Sequence, residues 1–299
     1  MSILENKIDF AVVLSVKNAN PNGDPLNGNR PRETYDGYGE ISDVCIKRKI
    51  RNRLLDMEMP ILVQSNVRKV DGFKSIRDRA ESFDELKKAE DDGDNEKFAS
   101  LACAHWIDVR SFGQVFAFEP KDKSKKKAGV SVGVRGPVSV HPAFSVSPID
   151  IASIQITKSV NSETKENPDK KSSDTMGTKH TVPFGVYVFY GSINCQLAEK
   201  TGFTEEDADR IHEALKTLFE NDSSSARPDG SMEVCRVYWW KHNCKFGQYP
   251  SAKVHRTLHV APKKDRKIPN GNLPFKLDDY YDIHVDPLDG LTPEVYNGI

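Results

Sequence analysis

Residues 18–32 read NANPNGDPLNGNRPR, with five asparagines, three prolines and two glycines. That composition excludes a helix or a central strand and leaves an ordered loop of turns. Asn18, Asn20 and Asn22 carry amides, and turns free backbone N–H groups; both bond phosphate and ribose oxygens without adding charge. Arg30 and Arg32 close the loop with guanidinium forks suited to bidentate phosphate contacts. The plainer alternative is a surface loop whose asparagines serve turn geometry.

A second cluster follows at 47–53, KRKIRNR, with five cations and no acid. Ser42 has the form of an N-cap, with Asp43 in the first turn of a helix reaching about Met57. Ile46, Ile50, Leu54 and Met57 fall on one face of it. Lys47 and Arg51 then share a flank, and Arg48 lies opposite the apolar stripe. These cations are expected to lack carboxylate partners one turn away, which favours a phosphate role over ordinary solvated charge.

Lys125 and Lys126 belong to a third basic run at 121–127, which is either a solvated loop or a mobile clamp on phosphate. Arg135 precedes Gly136-Pro137, and Lys179 stands on a hydrophilic stretch, 159–181. Met176 on that stretch has nothing nearby to bury it. It is either tucked onto its own arm or free to wedge between bases, as apolar side chains do when they unstack nucleic acid.

Other chemistry finds little support. Cys235, His242 and Cys244 lie close in sequence but on or beside a strand with no fourth ligand near, the pattern of structural thiols and a strand-end histidine. No G-x-S-x-G, H-E-x-x-H or Walker motif occurs, and Gly129, Gly133 and Gly136 lack the Lys-Ser/Thr and helix of a phosphate loop. The expectation is a protein that is not an enzyme and holds no metal or other cofactor.

The elements that must position these groups begin with a strand at 8–17, whose alternation puts Ile8, Phe10, Val12, Leu14 and Val16 on a core and leaves the other face mixed. Residues 60–107 are a polar excursion of short helices and loops. Strand character returns at 108–118, 151–158, 182–194, 232–243 and 276–286. A second helix at 204–220 is capped by Thr204 with Asp207 completing a capping box. The order suggests an α+β chain, a ferredoxin-like βαββαβ core with two large insertions.

The totals fit a soluble chain. It has 299 residues, 37% hydrophobic and 29% charged, with net charge −1. Near-neutrality speaks against nucleic acid until the distribution is considered: residues 81–96 hold eight acids against two lysines, so charge of each sign is segregated along the chain. No stretch approaches the apolar length of a membrane helix, MSILENKIDF lacks a signal-peptide pattern, and a cytoplasmic location is expected. Five scattered cysteines with no C-x-x-C pair argue for reduced thiols.

Asn18–Arg32, SDVCIKRKIR (42–51), DVRSFG (108–113), VRGPVSVHP (134–142) and TMGTKHTVPFGVYVFYGSIN (175–194), in that order, resemble the repeated RAMP-type backbone subunit of type I CRISPR Cascade complexes, in its type I-C branch. The resemblance implies a hand-like shape with an RRM-like palm (1–59, 108–157 and 182–299), fingers at 60–107, a lysine web at 119–130 and a thumb at 158–181. It implies copies polymerised head to tail along a CRISPR guide RNA, with other Cascade subunits as partners and target DNA reached through the guide. The family's helix lysine on the guide matches Lys47, its basic residue one turn on matches Arg51, and the thumb residue at the kinked nucleotide matches Met176. The palm departs from ordinary RNA-recognition modules in lacking their aromatic signature, so base stacking on the sheet is not implied. Related subunits of type III complexes cut RNA with an aspartate after the first strand, which makes a metal-dependent ribonuclease acting through Asp24 the enzymatic alternative. A protein whose basic helix docks an acidic partner is the third class.

Overall fold

The computed structural model describes residues 2–119, 129–157, 176–267 and 275–298. From the N-terminus, β1 (Ile8–Ala19) leads into a small hairpin of β2 (Gly23–Asp24) and β3 (Arg30–Pro31), then β4 (Tyr38–Ile41) and helix α1 (Asp43–Asp56). Next come α2 (Ile76–Glu81), α3 (Asp84–Asp92), α4 (Asn95–His105) and α5 (Ile107–Phe112). Strands β5 (Gly113–Phe118), β6 (Val130–Arg135), β7 (Val138–Val140), β8 (Ala143–Pro148) and β9 (Ala152–Thr157) follow. The rest comprises β10 (Met176–Ile193), α6 (Cys195–Thr201), α7 (Glu205–Lys216), β11 (Met232–Lys241), α8 (Ser251–His255), β12 (Leu258–Pro262), α9 (Leu277–Tyr280), β13 (Tyr281–Val285) and β14 (Glu294–Asn297).

The fold is mixed α/β around one large antiparallel sheet, in the order β14-β11-β1-β10-β8-β4, with β7 and β9 also paired to β10. α1 forms where the sequence places it: Ser42 Oγ accepts from Cys45 N, and Ile46, Ile50 and Leu54 are buried. That stripe and Ala208, Ile211 and Leu215 of α7 pack on Phe10, Val12, Leu14 and Val16 of β1. Thr204 and Asp207 make the expected capping box on α7.

Three sequence expectations are corrected. The second face of β1 is mixed in composition as expected, but it too meets a core, because Ala11 and Val13 lie under Val254, Leu258, Leu277, Tyr281 and Leu291. Residues 107–112 are helical, and only Gly113 onward is extended. Residues 277–280 are one helical turn before β13. A third core joins α2–α4 to the β5–β6 pair through Leu86, Phe98, Trp106, Phe116 and Val130, so the packing of the excursion continues past residue 107.

His212 of α7 shows how the first core responds to acid. Its ring stacks on Trp239 at 4.4 Å and 21°, with Tyr296 edge-on at 4.5 Å. Burial, then the Lys216 charge, push its pKa down to about 4. A base held neutral by the fold is taken up by protons first in the unfolded chain, so stability is complete above about pH 6.5 and lost as pH falls toward 4. Partial exposure of the ring limits the loss to about 1–2 kcal/mol. Urea unfolding at pH 7 and pH 5 is expected to register that loss, and His212→Phe to remove that share of it; a variant as acid-sensitive as the parent would contradict this origin.

Candidate nucleic-acid interface

The amide-rich loop is a hairpin built largely on its own side chains. Asp24 Oδ1 accepts from Leu26 N at 3.2 Å and lies 3.5 Å from the Arg32 guanidinium. Asn18 and Asn29 take left-handed backbone, φ 50° and 59°, which asparagine tolerates better than most residues. At Gly23 a Cβ would come within 2.0 Å of Asn29 Oδ1, so a larger residue would have to displace the Asn29 side chain. Asn20 is buried and donates to Asn29 O at 2.7 Å, while Asn22 Oδ1 accepts from both the N and Oγ of Ser42 at 2.9 Å. The Nδ2 of Asn20 and the Oδ1 of Asn22 are thus engaged within the loop and at the start of α1. Asn18 is exposed.

The expectation of unpaired cations on α1 fails. Asp43 stands one turn before Lys47, and the two pair at 3.1 Å. Such a surface pair contributes only about 0.3–0.5 kcal/mol and exchanges readily for a phosphate. Arg51 is different. Its Nε lies 3.2 Å from Asp108, whose carboxylate is wholly buried and also accepts from Leu62 N and Val63 N at 2.8 and 3.1 Å. Arg51 also covers the Phe112 ring at 4.9 Å. Arg48 donates to Val63 O at 2.7 Å. These two arginines clamp α1 to the segment after it.

Strands β9 and β10 pair beyond the core as a two-stranded arm, from Thr181 opposite Ala152 to Met176 opposite Thr157. Residues directly opposite share a face and successive residues alternate, so Ser153, Gln155, Met176 and His180 line one side while Ile154, Ile156, Gly177 and Lys179 line the other. Met176 is 66% exposed, with Gln155 Nε2 donating to its sulfur at 3.1 Å. Ile154 and Ile156 are 57% and 50% exposed. The hairpin is tied to the base of this arm: Arg30 Nη1 donates to Ser153 Oγ at 3.1 Å, and Ser153 Oγ lies 2.9 Å from His180 Nδ1.

The structure thus joins Arg30 to the arm that carries Met176 and Lys179. Lys179 and the exposed Arg135 have no carboxylate partner among the described residues. Arg135 pairs with Gly113, next to the Phe112 ring that Arg51 covers. Lys125 and Lys126 lie outside the described residues, as does most of the expected thumb. Sequence reasoning missed Ser153, His180 and the fully exposed Tyr35. Only the alternation of IASIQITK hinted at Ser153, since it set that residue on the face opposite Ile154.

Asp24, bonded to a backbone amide and facing Arg32, has the partners of a turn former. Cys235, His242 and Cys244 do not assemble: His242 is buried against Asp9 at 2.8 Å, Cys235 is half-buried and Cys244 is exposed. Among the described residues no helix is long and apolar enough to cross a membrane.

Comparison with known proteins shows the family to which the chain belongs. One chain of a CRISPR RNA-guided surveillance complex in a pre-nicking state aligns with a TM-score of 0.48 at 17% identity, covering 82% of this chain and 81% of that one. A chain of another CRISPR RNA-guided surveillance complex aligns at 0.43 and 17%, covering 78% and 68%. A protein of Haloferax volcanii described as CRISPR-associated protein Cas7 is 28% identical over 237 residues, which covers 74% of this chain and 66% of the relative, just under two thirds of its length. The family described as CRISPR-associated protein Cas7 matches residues 6–286, from before β1 to just past β13, and the chain belongs to that family.

Proposed function

We propose that this chain is the repeated backbone subunit of a type I CRISPR Cascade complex, in the I-C branch, and that it holds guide RNA by its sugar–phosphate ribbon. Copies polymerise head to tail along the guide, meet the other Cascade subunits at the ends, and present the bases for pairing with target DNA. No catalytic step is assigned to the chain. The order β11-β1-β10-β8, with α1 and α7 against one face, supports a ferredoxin-like βαββαβ palm from which fingers and thumb project.

The observation that carries the reading is the junction at Ser153. It fixes the Arg30 hairpin to an arm whose described residues include the half-buried Lys179, the exposed Ile154, Ile156 and Met176, and polar groups. Among the described residues this surface has donors and charge for phosphate but no array of polar side chains matched to base edges, which suits a protein whose guide varies in sequence while pairing does the reading. Arg30, Lys47, Arg135, Lys179, Asn18 and the web lysines 125 and 126 are assigned to the ribbon, and Met176 to a displaced base. Arg32, Arg48, Arg51, Asn20 and Asn22 hold the elements that present them.

The protein purified from its host is expected to carry short RNAs that share one repeat-derived end and differ elsewhere. Sequencing the bound RNA checks this; a random sample of cellular RNA, or none, would overturn the proposal.

A further inference from the structure

A cluster remote in sequence from every residue assigned above has the composition of a metal site. His259 of β12 and His284 of β13 are direct cross-strand partners, their rings parallel within 12° and 4.5 Å apart. Asp286, one residue beyond β13, turns its carboxylate toward both: Oδ2 lies 2.9 Å from His259 Nε2 and Oδ1 lies 3.9 Å from His284 Nε2. The backbone of Asp286 is held by its N–H donating to Thr257 O at 2.9 Å, so the three groups sit on or beside one pair of hydrogen-bonded strands. All three side chains are exposed.

We propose that His259, His284 and Asp286 bind one divalent transition-metal ion of the zinc class. Two imidazole nitrogens and one carboxylate oxygen are the donor set of open, three-ligand zinc sites, in which water or another molecule completes the coordination. Bonds of 2.0–2.2 Å at tetrahedral angles place ligand atoms about 3.3–3.6 Å apart. The two separations here, 2.9 and 3.9 Å, run to different oxygens of Asp286, and one ligand atom from each of the three residues lies within 4.8 Å of the others, so side-chain rotation must draw them together onto an ion. A hydrogen bond to Asp286 accounts for His259 alone. His284 Nε2 lies 3.9 Å from the other oxygen of the same carboxylate, beyond hydrogen-bond reach, and a shared ion would draw both rings onto Asp286. The donor set disfavours magnesium and calcium, which take oxygen ligands.

The full chain, with any affinity tag removed, is titrated with zinc chloride by calorimetry, and with cobalt chloride by visible absorption. One ion per chain is expected, with the cobalt form showing the intense visible bands of four-coordinate geometry. His284→Ala and Asp286→Asn should each weaken binding at least about 10-fold, since even the loss of an outer-shell partner does so. Both lie at the surface and should leave the thermal midpoint of the metal-free chain nearly unchanged. Absence of saturable one-to-one binding, or equal affinity in parent and both variants, would overturn the site.

Discussion

Guide RNA is expected to bind the Arg30→Ala, Lys179→Ala double variant about 10–100-fold more weakly than the parent at moderate salt, with the same loss for every spacer sequence. The argument is electrostatic. Each cation set against a single-stranded phosphate releases counterion and adds about 0.7 to the slope of log affinity against log salt. Two such contacts removed should flatten that slope by about 1.4. Lys179 has no carboxylate partner among the described residues, so its whole charge is available. Arg30 also holds Ser153, and through it His180, so Arg30→Ala loosens the arm as well. Arg30→Lys separates the two effects, keeping the charge while losing the planar fork. Lys47→Ala should act more weakly, because Asp43 already occupies part of its charge. Anisotropy titrations of several guides across a salt series measure all of this. A loss confined to particular spacers would mean that bases are read directly and would defeat the backbone-holding mechanism.

What the sequence made legible were features whose cause is local. Ser42 before a 3.6-residue stripe specifies α1, and Thr204 with Asp207 specifies α7, because caps and periodicity act within a few residues. The opaque features depend on partners far along the chain. Both faces of β1 are buried because segments after residue 250 return to cover Ala11 and Val13, and nothing in residues 8–17 announces that cover. α5 has six residues and no side-chain cap, so it carries no start signal and runs straight into the alternation of β5. The five asparagines of the loop did mark turns, but Asn22 accepts from Ser42, 20 residues on, and composition is silent about that bond. The cations of α1 misled most. Lys47 and Arg51 share a flank as the wheel requires, yet one is a lightly held surface charge and the other neutralises a carboxylate 57 residues away.

That last distinction carries the largest expected effect on stability. Asp108→Ala should cost about 3–5 kcal/mol, because it strands the Arg51 guanidinium, itself only 13% exposed, without its counter-charge. It also leaves the buried Leu62 N without its acceptor, at about 1–3 kcal/mol, and the half-buried Val63 N at less. Against a total folding free energy of about 5–15 kcal/mol, this is a third or more of the stability. Urea midpoints with an unchanged slope would measure it. Asp108→Asn should fall between, since one oxygen still accepts while the new NH₂ faces a donor. The double variant Arg51→Ala, Asp108→Ala should lose less than the sum of the singles, by a coupling of about 0.5–3 kcal/mol. Arg51→Ala alone then lowers the urea midpoint while leaving the salt slope of RNA binding as it was, the reverse of Lys47→Ala. If Arg51→Ala instead flattened the slope and spared the midpoint, its guanidinium would be meeting phosphate rather than Asp108. The flank of α1 would then be an RNA surface along its whole length, not at Lys47 alone.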